Sequence, residues 1–198
     1  MTIATPQGFG TQTHERLPLP PAEHMSDAQR TVTEALIAGP RKGVKGPFVP
    51  LMHSPVLLER LAGVGEYLRF NAVLPRHVNE FATLVVAREL SNQFEWAVHY
   101  PLAIQAGVPE ALLEELATGA RPRSMPDDEA DVWAFATELL RRHSVSEPTY
   151  AAAIRRWGEQ GVVELGALVG YFACVCWIMN IARTPVRSEV AALPGFPA

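Results

Sequence analysis

The segment Glu89-Leu90-Ser91-Asn92-Gln93-Phe94-Glu95-Trp96-Ala97-Val98-His99 sets a carboxylate and an imidazole four residues apart. On a helix, Glu95 and His99 would share a face within contact reach. A carboxylate beside an imidazole raises its pKa and fixes its orientation, which suits proton transfer near neutral pH. Trp96 adds a flat apolar wall that lowers the local dielectric. The same spacing also describes an ordinary surface Glu–His pair, which adds only a few tenths of a kcal/mol to a helix. Glu80 is a second anomaly, because it interrupts an apolar face formed by Val78, Phe81, Ala82, Leu84 and Val85. On the solvated side it would be unremarkable; buried, it must be paired or protonated.

The elements that must position these groups read as helices. Ser26, with Gln29 three residues on, is a capping-box start, and that helix stops at Gly39-Pro40. A glycine-rich basic loop follows, Pro40-Arg41-Lys42-Gly43-Val44-Lys45-Gly46-Pro47-Phe48. Ser54-Pro55 supplies an N-cap and a first helical residue, with Leu57, Leu61, Val64 and Leu68 as the apolar stripe. Further helices are expected from Pro75, over Glu95 to Ala106 with Gly107 as terminator, and from Pro109, Pro126 and Ser146. A long apolar helix runs from about Val162. No stretch alternates with period two, so the fold class is all-α. Residues 1–25 read as an extended arm, 26–184 as the helical domain and 185–198 as a loosely structured tail.

The 198 residues are 48% apolar and 19% charged, which excludes a disordered or collagen-like chain. Lys and Arg number 17 against 21 Asp and Glu, a net charge of −4. No cationic excess is available to recruit phosphates, so nucleic acid is a poor partner. Two cysteines, Cys174 and Cys176, exclude a disulfide framework and favour a reducing compartment. The N-terminus lacks the basic start and apolar stretch of a signal peptide, so the cytoplasm is expected. The stretch from Val162 to Ile181 holds one charge, Glu164, and is long enough to span a bilayer. Its glycines, Asn180 and cysteines fit the buried centre of a helical domain better, and no membrane association is expected.

The block LPRHVNEFATLVVARELSNQFEWAVHYPLAIQAG resembles the carboxymuconolactone decarboxylase family, relatives of the alkylhydroperoxidase AhpD. The likeness extends to GPRKGVKGPF, to the HSP helix start, to GEYLRF and to VSEPTYAAAIRRWGEQGVVELGALVGYF, covering most of the chain after residue 26. It implies an AhpD-like helical domain. The family's peroxidase branch carries a Glu, a Cys-x-x-Cys pair and a His four residues later. Here Glu80 and His99 match the outer members, while Asn92 and Glu95 occupy the cysteine positions. Cys174 and Cys176 lie two apart on a helix and point away from each other, which leaves them the role of small buried hydrophobes. Without the thiol pair, peroxidase activity is not expected.

The resemblance leaves acid/base chemistry on a small lactone or keto acid, without metal or organic cofactor. It implies that His99 donates or shuttles a proton, that Glu80 orients it and that Glu95 is the second acid/base group. A substrate carboxylate needs a cationic clamp, which Arg41 and Lys42 can supply, with Phe48, Phe70 and Trp96 as candidate walls. Each of these also has an ordinary role, in a solvated turn or in core packing. Family resemblance further implies a homo-oligomer, a trimer or hexamer. Two other readings stay open: a metal site on Glu80, Glu95 and His99, and a non-catalytic oligomeric binder of small molecules. Among the remaining histidines, His53 reads as a surface residue at a helix entry. His77 sits in a first turn, where the helix dipole disfavours imidazolium.

Overall fold

Most helices begin where a start signal stands. The computed structural model describes residues 7–8, 14–186 and 190–194. Parts of the arm (1–6, 9–13) and tail (187–189, 195–198) lie outside the described residues. In α1 (Asp27–Ala38) the capping box is formed: the Ser26 hydroxyl accepts from the Gln29 amide at 3.3 Å, and the Gln29 side chain accepts from the Ser26 amide at 2.8 Å. A one-turn helix, α2 (Phe48–Leu51), closes the basic loop. In α3 (Pro55–Phe70) proline occupies the first turn as expected, but the Ser54 hydroxyl makes no capping bond. Next come α4 (Arg76–Glu89) and α5 (Gln93–Ala106). The latter starts two residues before the expected Glu95 because Asn92 caps it, accepting from the Glu95 amide at 2.9 Å. Then follow α6 (Glu110–Ala117), α7 (Asp127–Arg142) and α8 (Glu147–Ala182). Gly158, at φ 68° and ψ −175°, breaks α8 between the helix expected from Ser146 and the long apolar one expected from about Val162.

The core is built around α4, which packs against α5, α7 and α8. Every residue from Val78 to Arg88 is therefore buried, and this stretch leaves Glu80 no solvated side. The apolar part of α8 supplies Leu165, Leu168, Val169, Phe172, Val175 and Cys176 to the same core. This helix is long and apolar enough to cross a membrane, and over half of its most apolar window is buried within the chain. Its one interior charge is tied off: Glu164 accepts from the Tyr67 hydroxyl at 2.6 Å, the Val73 amide at 2.7 Å and Gln160 at 2.9 Å.

The expected stripe of α3 holds at Leu61, which packs half-buried against the core, and at Leu68, but shifts by one residue at Leu57 and Val64. Leu58, Gly65 and Leu68 are buried, whereas Leu57 and Val64 are each 47% exposed. The helix packs against α1, α2 and α8, and Gly65 faces the Tyr171 side chain of α8. The described parts of the arm cross the surface near the end of α8: the Arg16 amide donates to Ala182 at 2.7 Å, and His53 hydrogen-bonds the Pro18 carbonyl at 3.0 Å. The tail is less loose than its composition suggests. Leu193 is buried, and its amide and carbonyl both bond the Gln93 side chain, at 2.8 and 3.0 Å.

Candidate active site

Two successive helices bring the three expected acid/base groups together. Glu80, on α4, meets His99, on α5, with Oε2 2.6 Å from Nδ1. Glu95, one turn before His99, lies with Oε2 3.2 Å from Nε2. All three side chains are buried, His99 to 2% exposure. The edge of the imidazole meets Phe172 of α8, ring centroids 5.1 Å apart and planes at 85°. Burial pulls the imidazole pKa down, but the hydrogen bonds to Glu80 and Glu95, together with their charges, outweigh it and hold His99 above the usual 6.5. With a carboxylate at each ring nitrogen, His99 stores a proton in a dry place.

A cavity of about 270 Å³ opens onto this cluster. Glu95 and His99 line it, while Glu80 stands behind the imidazole, outside the lining. Glu80 is thus a positioning residue. Around the mouth stand Arg41 and Lys45 from the basic loop and Arg69 and Phe70 from the end of α3. The loop docks on its own chain through Gly46, whose φ of +57° and lack of a side chain admit Phe94; a Cβ there would sit 2.2 Å from that ring. Arg41 stacks over Phe48 at 4.4 Å and donates to the Ala62 carbonyl at 3.1 Å. Burial lowers its pKa, yet a guanidinium remains cationic at any physiological pH.

Arg41, Phe48 and Phe70 therefore stand where a clamp and walls were expected. Lys42 does not: its exposed side chain turns back to the Ala38 carbonyl at 3.5 Å, because the loop takes a left-handed conformation at Lys42. Lys45 lines the cavity instead. Trp96 also lies elsewhere, since on a helix it points about 100° away from Glu95. It is buried in the main core against Tyr100, ring centroids 5.5 Å apart.

Tyr171 is the group that sequence reasoning missed, because it reads as one more apolar residue of α8. It lines the cavity beside Arg41, with Arg41, Arg69 and Glu95 all close enough to act on its charge. Burial raises the phenol above its ordinary 10.0, although Arg41 and Arg69 pull the other way. Its O–H is therefore retained at neutral pH and is available to an incoming oxygen. No sequence signal marks it; the packed structure does, since a Cβ on Gly65 of α3 would sit 2.1 Å from the Tyr171 hydroxyl. Gly65→Ala is expected to destabilise the fold by about 1–3 kcal/mol through overpacking. Gly63→Ala, with nothing within 4 Å of its Cβ, is expected to gain about 0.5–1 kcal/mol from helix propensity. Urea denaturation of the two variants checks this contrast; equal effects would show that Tyr171 is not held by the bare backbone of α3.

The thiols contribute nothing here. Asn92, at the first cysteine position of the peroxidase pattern, is fully buried as the α5 cap and donates to Cys176 O at 3.2 Å and Asn180 at 3.0 Å. Burial raises the pKa of Cys174, and raises that of Cys176 well above 9.0, and neither lines the cavity. A thiolate nucleophile is not available at neutral pH.

No family model matches the sequence, and no curated protein matches it. Among solved structures, the chain superimposes on the alkylhydroperoxidase AhpD core of an uncharacterized peroxidase-related protein from Ralstonia eutropha JMP134. The TM-score is 0.70 at 14% identity, over 89% of this chain and 93% of that one. The fold is the AhpD-like all-α fold.

Proposed function

We propose that the protein is a cofactor-independent acid/base enzyme of the carboxymuconolactone decarboxylase type, acting on a small lactone or keto acid. The observation that carries this reading is a dry imidazole, held between two carboxylates, at the floor of a cavity with a cationic rim. In a decarboxylation the C–C bond to the leaving carboxylate breaks, and its electron pair moves into a conjugated carbonyl. The resulting enolate oxygen is stabilised by the Arg41 guanidinium and the Tyr171 hydroxyl. His99 then delivers its proton to the carbanionic carbon, and a proton from water entering the cavity, relayed by the Glu95 carboxylate, reloads the imidazole. Glu80 keeps the imidazole in the orientation and charge state the step requires.

The geometry favours this over a metal centre on the same residues. Glu80 and Glu95 face opposite nitrogens of one imidazole ring. A single ion could take only one of those nitrogens and the carboxylate beside it. A pocket sealed by Trp96 and Phe48, with Glu95 and His99 facing solvent, would support a non-catalytic binder; Phe48 does line the cavity, but Trp96 lies in the core and both acid/base groups are buried.

The test is a screen of small lactone and β-keto acids for CO₂ release. With any substrate so found, Arg41→Met is expected to lower kcat/KM by about 10²-fold, the scale of one lost oxyanion donor. Absence of turnover across the screen, or an Arg41→Met variant of full activity, would overturn the assignment. A cytoplasmic homo-oligomer, a trimer or hexamer, is proposed alongside. Val163, Trp177 and Ile181 of α8 are 54–71% exposed on the isolated chain and offer it an apolar surface. Light scattering in solution checks the assembly.

A further inference from the structure

Away from the cavity, the first turn of α4 meets the first turn of α7. His77 Nε2 lies 2.6 Å from Asp128 Oδ2, and Glu129 follows directly. One ligand atom from each of these three side chains falls within 4.8 Å of the others. His77 and Asp128 are half-buried at the surface, whereas Glu129 is 3% exposed. Its Oε2 is buried and has no hydrogen-bond partner among the described residues. A desolvated carboxylate oxygen with nothing to bond is costly, and beside Asp128 it costs more. Two occupants can relieve it: a proton shared between the carboxyl groups, or a cation.

We propose that His77, Asp128 and Glu129 form a site for a divalent transition-metal cation, separate from the His99 cavity. One imidazole nitrogen and two carboxylate oxygens are the donors that Zn²⁺, Mn²⁺ or Fe²⁺ take, with water completing the shell. Bonds of about 2.1 Å place two ligands of one ion about 3.0–4.2 Å apart, so side-chain rotations of roughly half an ångström draw in the widest pair and open the His77–Asp128 contact. The two helix N-termini favour the carboxylates and oppose the cation, so both negative charges are needed to hold it. Arg156 bridges to Asp131 at 2.8 Å, which leaves Asp128 to His77. Such an ion would tie α4 to α7 one turn before Glu80, and its role is structural.

Calorimetric titration of the full chain with Zn²⁺ tests this. One equivalent is expected to bind, and His77→Gln or Asp128→Asn to weaken it at least about tenfold, the lower end of what even indirect partners of a metal contribute. Glu129→Gln should do the same; if that buried variant fails to fold, the two half-exposed positions decide. His99→Gln should bind as the parent does. No binding would mean that the carboxyl pair shares a proton and would overturn the proposal. So would binding that survives at His77 and Asp128 but is lost at His99, which would move the ion to the cavity.

Discussion

Replacing His99 by glutamine is expected to lower kcat by about 10²–10⁴-fold, the range that a positioned proton-transfer group supplies. The amide fills much the same space, so the cavity and the α4–α5 contact should persist. It cannot hold a transferable proton. Glu95 would remain in the cavity with no proton store behind it. The measurement is single-turnover CO₂ release, with far-UV circular dichroism to confirm the fold. A glutamine variant within about tenfold of the parent would show that the chemistry does not pass through the imidazole.

Glu80 is expected to give the second large effect, and a different one. Glu80→Ala leaves a desolvated imidazole with one carboxylate instead of two, and breaking a buried pair in this way costs about 3–5 kcal/mol. Glu80→Gln keeps an acceptor near Nδ1 but removes the charge, so the fold should survive and the titration should move. His99 has its pKa above 6.5 when folded. The stability it contributes is therefore fully present below about 6.5 and is lost as pH rises through the folded value. Removing the Glu80 charge lowers that folded value, so the loss begins at lower pH. If protonated His99 is the donor, the alkaline limb of kcat against pH should shift downward in the same variant. Parallel shifts of the rate limb and of Tm against pH would tie both to one imidazole. A merely structural Glu80 would reduce Tm at all pH values and leave the limb in place.

Much of this was legible in the chain. Helix starts at Ser26, Pro55 and Pro126 are local matters of capping and of prolines that favour the start of a helix, and the sequence states them outright. The pairing of Glu95 with His99 is equally local, since four residues on a helix are one turn. So is the break at Gly158. The face of α3 was misread because Leu57 and Leu58, or Val64 and Gly65, differ by only one position, and only the neighbours decide which points inward. Gly65 carries no hydrophobic signal at all, yet it is the contact point for Tyr171.

Glu80 shows where local information ends. Its meaning depends on whether α4 has a wet side, and α4 has none because α5, α7 and α8 cover it. The same enclosure puts Glu80 on the far nitrogen of His99 from Glu95, which separates an acid/base arrangement from a chelating one. Lys42 and Lys45 carry the same charge in the same loop. A left-handed backbone at Lys42 turns that side chain away and leaves Lys45 over the cavity. Charge, capping and periodicity belong to single segments. Burial and the direction in which a buried group points belong to several segments at once, so they emerge only when the helices pack.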